Sequence, residues 1–156
     1  MVDIQMIANE KLTLRTDPAT GHKALHSSIA RQEGDILCSF SSSKVLSHPT
    51  RFTLQLDEQR HILLYPEYLW YVNHSCAPNI FFDTDNRQIV CLRSITPGEE
   101  LRFFYPSTEW CMAEPFQCLC GSPECLGTIR GAEALSDEVL EKYRLTTYIL
   151  RKWAGR

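Results

Sequence analysis

A chain of 156 residues, 44% of them apolar, can close one core without disulfides and gives no reason to expect a second domain of ordinary size. Its net charge of -3 and pI of about 5.9 argue against a broad basic surface, so direct nucleic-acid binding is not expected and a basic partner suits it better. No apolar run approaches the roughly 18 residues of a membrane span, and residues 1–10 lack the basic start and apolar stretch of a secretory signal. The expectation is a soluble intracellular protein with no membrane partner.

Short apolar runs alternate with turn formers through the first seventy residues, at residues 11–15, 23–26, 35–40, 51–56 and 61–64. Period two dominates: Phe52, Leu54 and Leu56 alternate with Thr53 and Gln55, and Asp57, Glu58 and Gln59 separate them from the next run, which predicts a hairpin. Ser41, Ser42 and Ser43 read as a short polar loop. Residues 88–92 and 101–105 are further strand candidates on either side of Thr96, Pro97 and Gly98, where Pro and Gly suit a reversal. The one convincing helix spans residues 137–153, with Ser136 as N-cap, Asp137 and Glu138 in its first turn, and Arg151 and Lys152 in its last. Val139, Leu140, Tyr143, Thr147, Leu150 and Trp153 form its packing stripe. The chain is therefore mainly β with a C-terminal α-helix.

Seven cysteines is an odd number, and without a secretory signal they read as thiols or metal ligands. Cys38, Cys91 and Cys111 stand alone in apolar or aromatic surroundings, where a buried small side chain is expected. Cys118, Cys120 and Cys125 crowd into eight residues and offer three thiolates, whereas a closed structural zinc site takes four ligands. Cys76 is the leading fourth ligand; Cys111 or a histidine is the alternative, and a thiol-rich turn without metal is another.

The run Asn73-His74-Ser75-Cys76-Ala77-Pro78-Asn79 sets two amides, an imidazole and a thiol between Trp70-Tyr71-Val72 and Ile80-Phe81-Phe82. Polar groups enclosed by aromatics must find partners, so this run reads as a site and not as a surface turn. Two later stretches point to it: Gly98-Glu99-Glu100-Leu101, leading to Tyr105, and the cysteine cluster.

In this order the three motifs resemble the core of SET-domain protein lysine methyltransferases with their zinc-binding post-SET segment, over residues 66–131. The resemblance implies a β-clip-like fold with a knot-like core, divided into a SET domain at 1–115, a post-SET segment at 116–131 and the C-terminal helix region at 132–156. It implies S-adenosylmethionine as methyl donor, with Asn73 and His74 holding the cofactor partly through backbone groups and Tyr71 bordering its pocket. It gives Tyr105 the catalytic role and places Phe103 with it in the substrate channel, where a Phe or Tyr influences how many methyl groups are added. It makes Cys76, Cys118, Cys120 and Cys125 the ligands of one structural zinc ion and lays residues 126–129 over the cofactor and one channel wall. The implied partner is a protein presenting a lysine, histone or non-histone; the alternative is a catalytically silent, zinc-stabilised binding module. The chemistry asked of these residues is alignment in a dry channel more than strong base catalysis. Phe104 is expected in the core.

Overall fold

The computed structural model describes the backbone of residues 3–9 and all of residues 11–156. Strands β1 (Asp3–Asn9), β2 (Leu12–Thr16) and β3 (Lys23–Ser27) form an antiparallel meander in that order. Leu12 and Leu25 point from it into the core with no exposed surface. The turn between β2 and β3 is closed by Asp17, whose carboxylate accepts the Ala19 N–H at 2.9 Å while Gly21 takes a φ of +74°.

Next come β4 (Ile36–Ser39), β5 (Ser41–Leu46), β6 (Thr53–Gln55) and β7 (His61–Tyr65). The expected hairpin is present: β6 pairs antiparallel with β7, Leu54 opposite Ile62, and the Asp57 carboxylate accepts the N–H groups of Gln59 and Arg60 in the turn. The serine run is not a loop. It opens β5, which pairs with the other side of β7 as an outer strand of the sheet, and its side chains face solvent. Backbone pairing needs no apolar side chain on such an edge, so composition hid the strand.

A 3-10 turn at Glu67–Tyr71 leads to β8 (Asn73–His74), then β9 (Ile80–Asp83), β10 (Gln88–Cys91) and β11 (Arg102–Phe103). Strand β10 lies between β4 and β9, whereas β11 runs parallel to β8. The turn at Gly98, φ +86°, therefore sends the chain into a different sheet and does not fold β10 back on β11. Residues 98–101 run along β3 on the way, with Leu101 donating to the Leu25 carbonyl and Ser27 to that of Glu99. The core fills the space between these sheets, where Phe82 meets Phe40 and Phe103 edge-on at 5.6 and 4.6 Å between ring centroids.

Strand β12 (Phe116–Gln117) pairs antiparallel with β13 (Thr128–Ile129) around the cysteines. The chain ends in α1 (Asp137–Leu140) and α2 (Thr147–Ala154). The C-terminal helix is thus present, but the expected span of 137–153 is broken. Ser136 caps α1 as read, and Thr146 caps α2 by accepting the Ile149 N–H at 3.4 Å. Between them Tyr143 stacks on Phe104 at 3.6 Å and donates its hydroxyl to the Cys76 carbonyl at 2.7 Å, a geometry that takes precedence over helical continuity. The break changes the buried face: Tyr148 and Ile149 are buried with Leu140, and Leu150 is exposed. No helix among the described residues is long and apolar enough to cross a membrane.

One contact joins this C-terminal region to the body through bare backbone. Gly131 has a φ of +117°, and a β-carbon there would lie 2.5 Å from the Trp110 carbonyl oxygen. Gly131→Ala is expected to lower unfolding free energy by about 3 kcal/mol, through overlap and left-handed strain together. Urea denaturation measures it; a loss under about 1 kcal/mol would mean that the backbone relaxes freely there.

Candidate active site and metal centre

The buried run at residues 73–79 is anchored by Asn79, which is 2% exposed. Its amide nitrogen donates to the Glu100 carbonyl at 2.9 Å and to Glu99 Oε2 at 3.0 Å, and its amide oxygen accepts the Arg102 N–H at 2.8 Å. Its backbone N–H reaches the Arg102 carbonyl. One side chain thus ties the end of the run that follows β8 to the chain entering β11, as expected of a polar group enclosed by aromatics. Burial works against the Glu99 charge, but Asn79, the Thr96 N–H and Arg93 outweigh it and hold the carboxyl below its usual range.

His74 faces inwards. Its Nδ1 lies 3.1 Å from the Tyr105 backbone nitrogen, which must donate, so the ring proton sits on Nε2, 3.4 Å from Cys76 Sγ. Burial, with Arg102 adding to it, pushes the imidazole down to about 4, so it is neutral near pH 7. His74 therefore ties Tyr105 to the cysteine cluster through its two ring nitrogens.

Tyr105 donates its hydroxyl to the Val72 carbonyl at 3.1 Å, and its ring packs against Phe103 at 4.7 Å and Phe116 at 5.8 Å between centroids. Burial raises the phenol well above its ordinary value, so it stays protonated. Phe104 turns the other way, onto Tyr143, and belongs to the core as expected.

Asn73, Tyr71, His74, Phe103 and Tyr105 all border one cavity of about 730 Å³. The Asn73 amide nitrogen lies 3.1 Å from the Lys23 carbonyl and 3.2 Å from both Glu100 Oε2 and His22 Nε2. It ties residues 21–23 to the start of β11, while no hydrogen bond from a described residue reaches its amide oxygen. Lys23 also stands 5.8 Å from the centre of the Tyr71 ring.

The covering wall differs from the expected one. Residues 112–116 and Cys118, Leu119 and Cys120 line the cavity, and residues 126–129 do not. Two of the latter are tied to the cysteines instead: the Leu126 N–H reaches Cys76 Sγ at 3.4 Å, and Ile129 is buried beside Cys76 and Cys118, while Thr128 is exposed.

The sulfurs of Cys76, Cys118, Cys120 and Cys125 lie within 4.8 Å of one another. A tetrahedral thiolate site with bonds of about 2.3 Å has sulfur–sulfur edges of about 3.8 Å; Cys76 and Cys118 are 3.9 Å apart. Two N–H groups, from His74 and Leu126, aim at Cys76 Sγ, as suits a thiolate. This set fits a soft divalent cation, and the open choice of fourth ligand falls on Cys76. Cys111 lies elsewhere and faces solvent, contrary to the buried position expected of it, because its backbone is the part pressed against Gly131. Cys38 and Cys91 are raised by burial, as inert core thiols are.

The sequence profile of the SET domain matches residues 23–106, more than half of the chain. The chain belongs to the SET-domain family. Among its relatives, methyltransferase flvH of Aspergillus flavus is 43% identical over 90 residues, 56% of this chain and 51% of flvH. The histone-lysine N-methyltransferase set9 of Schizosaccharomyces pombe is 42% identical over 59 residues, 36% of this chain and 13% of the relative. The SET-domain chain thus spans about half the length of the first relative and a small part of the second. The crystal structure of KRYPTONITE in complex with mCHH DNA, H3(1-15) peptide and SAH superposes with a TM-score of 0.57 at 20% identity, covering 75% of this chain and 29% of that one. That likeness bears out the mainly β SET fold.

Residues 112–115 and Glu109 also border this SET-domain site and have no role in the sequence analysis. Residues 21–23 border it too and carry a local mark, a glycine turn directly before a strand.

Proposed function

We propose that this chain transfers a methyl group from S-adenosylmethionine to a lysine side chain of a protein, with Tyr105 as the catalytic residue, Asn73, His74 and Tyr71 as the cofactor-binding residues, and Phe103 in the lysine channel. The observation that carries the reading is the convergence of a neutral, half-buried phenol and an undonated amide oxygen, those of Tyr105 and Asn73, on a single aromatic-walled cavity. S-adenosylmethionine, when bound, supplies an electrophilic methyl group on a sulfonium centre. Asn73 would accept a hydrogen bond from its amino or hydroxyl groups, and the aromatic walls would exclude water and disfavour the charged amine. Tyr105 would orient the amine through its hydroxyl oxygen. Cys76, Cys118, Cys120 and Cys125 would hold one zinc ion of purely structural use, since four thiolates leave no place for water. Residues 112–120, fastened through Cys118 and Cys120, would then be held over the cavity by that ion.

A silent binding module has no evident use for this cavity chemistry. The histone-lysine methyltransferase names of relatives support a protein substrate, histone or otherwise. The DNA of the KRYPTONITE complex belongs to a chain of which only 29% is matched and does not alter the substrate proposed.

Calorimetric titration with S-adenosylmethionine tests the reading. Wild type is expected to bind, and Asn73→Ala to bind roughly tenfold or more weakly, having lost both the acceptor and the tie to residues 21–23. A folded, zinc-loaded wild type that binds none would refute it.

A further inference from the structure

Glu109 is a carboxylate where the fold does not need one. The Glu109 N–H bonds to the Tyr105 carbonyl at 3.1 Å, which turns the side chain inwards, 8% exposed, against the cavity that Tyr105 lines. Its Oε2 accepts the Gln55 N–H at 3.0 Å and the Thr108 hydroxyl at 2.6 Å. Its Oε1 receives no hydrogen bond from any described residue, and none of the described ion pairs involves it. Satisfying Gln55 and Thr108 takes one acceptor oxygen, which a glutamine would supply without a buried charge. What the charge adds is directed at the cavity.

We propose that Glu109 receives the substrate ammonium, its Oε1 binding the cationic amine in the aromatic channel and taking its proton before methyl transfer. This deepens the lysine methyltransferase reading and rests on it. In the step, one ammonium N–H bond breaks and its electron pair stays on nitrogen as the lone pair required for methylation. The proton bonds to Oε1, and Glu109 returns it to solvent after the product leaves.

The surroundings suit a proton acceptor. Burial raises Glu109 to about 7, against the pull of Thr108 and the Gln55 N–H, bringing it nearer to an amine than an ordinary carboxylate stands. The titratable groups packed around it do not compete. Tyr105 precedes it on the same turn and is protonated; Tyr148 of α2 lies behind Gln55, 3.3 Å from its Nε2; His61 faces Gln55 across the hairpin and is held down by burial. Arg51 and Glu100 act on Tyr105 with opposite signs.

Glu109→Gln keeps the acceptor for Gln55 and Thr108 and removes the charge. With S-adenosylhomocysteine present at about pH 8, n-butylammonium is expected to bind the variant roughly tenfold or more weakly than wild type, read by calorimetry. On a mixture of core histones, wild-type kcat/KM should rise with a midpoint near 7, the value raised by burial. The variant's limb should move alkaline by about one unit or more, the rates converging near pH 10 as free lysine deprotonates unaided. A purely structural role would lower the rate equally at every pH.

Folding raises this pKa, so the stability linked to it is complete below about 4.5 and lost as the pH rises through 7. The melting temperature of Glu109→Gln should therefore gain on wild type between about pH 5 and pH 8. Equal n-butylammonium affinity in the two proteins, or a gap in melting temperature that ignores pH, overturns the inference. Wild type that binds the ammonium through Glu109 but methylates no lysine would instead overturn the methyltransferase reading and leave the ammonium site standing.

Discussion

Cys118→Ser is expected to strip the metal from the protein and release the wall that residues 112–120 place over the cavity. The cysteine segment has little else to hold it: β12 and β13 pair over two residues each, and its buried apolar cluster is Cys76, Cys118 and Ile129 with a few half-buried neighbours. A core that small does not offset the entropy of ordering the loop around it, so an ion held by the four proposed thiolate ligands would carry most of the local stability. Cys118 is central among the ligands, 5% exposed, 3.9 Å from Cys76 across the sequence gap, and fixed by its N–H to the Gly127 carbonyl at 2.8 Å. Serine offers a harder, mostly protonated oxygen in place of a thiolate. The expected loss is about a thousandfold in zinc affinity, roughly 4 kcal/mol, against the ten- to hundredfold of changes outside the ligand shell. Metal analysis after dialysis should find about one equivalent in wild type and almost none in the variant. Limited proteolysis should then cut the variant between residues 112 and 127 while the β-sheet body stays protected. A variant that keeps its zinc and its protease resistance would mean that the four ligands are misassigned.

How much of this was legible beforehand follows from which forces act locally. The β6–β7 hairpin could be read because alternation and the acidic turn are properties of neighbouring residues. The Ser136 cap and the inward-facing Asn79 were legible for the same reason: a capping oxygen and an enclosed amide declare what they need. The Cys76 ligand was only a leading candidate, since it joins residues 42 apart and no local rule fixes such a contact. The serine strand β5 was hidden, because an edge strand is made by its partner's backbone and not by its own side chains. The broken helix was hidden too: its turn at residues 141–145 is dictated by Tyr143 reaching Phe104 and Cys76, far away in sequence. Glu109 carried no mark at all, for a glutamate between a threonine and a tryptophan looks like any surface acid until the fold closes over it. The motifs located the site, and tertiary contacts supplied the Glu109 carboxylate and the covering wall of residues 112–120.

Tyr105→Phe should slow methyl transfer by about a hundredfold or more while leaving S-adenosylmethionine affinity within about twofold. The ring remains in place, because Phe103 at 4.7 Å, His74 at 5.2 Å and Phe116 at 5.8 Å hold it by packing that needs no hydroxyl. What disappears is one oriented oxygen, fixed by donation to the Val72 carbonyl, and a single preorganised polar group in a water-poor site is typically worth 10²–10³ in rate. The folded state should lose only about 1 kcal/mol, the net value of one such hydrogen bond. The two variants at this wall must then differ in kind. Burial keeps the Tyr105 phenol protonated through neutral and mildly alkaline pH, so removing it should lower the rate without moving the pH profile, whereas Glu109→Gln should move the profile. Single-turnover rates across pH for both variants decide this. A full rate in Tyr105→Phe would remove the hydroxyl from the mechanism. A shifted profile there would mean that the phenol, not the carboxylate, handles the proton.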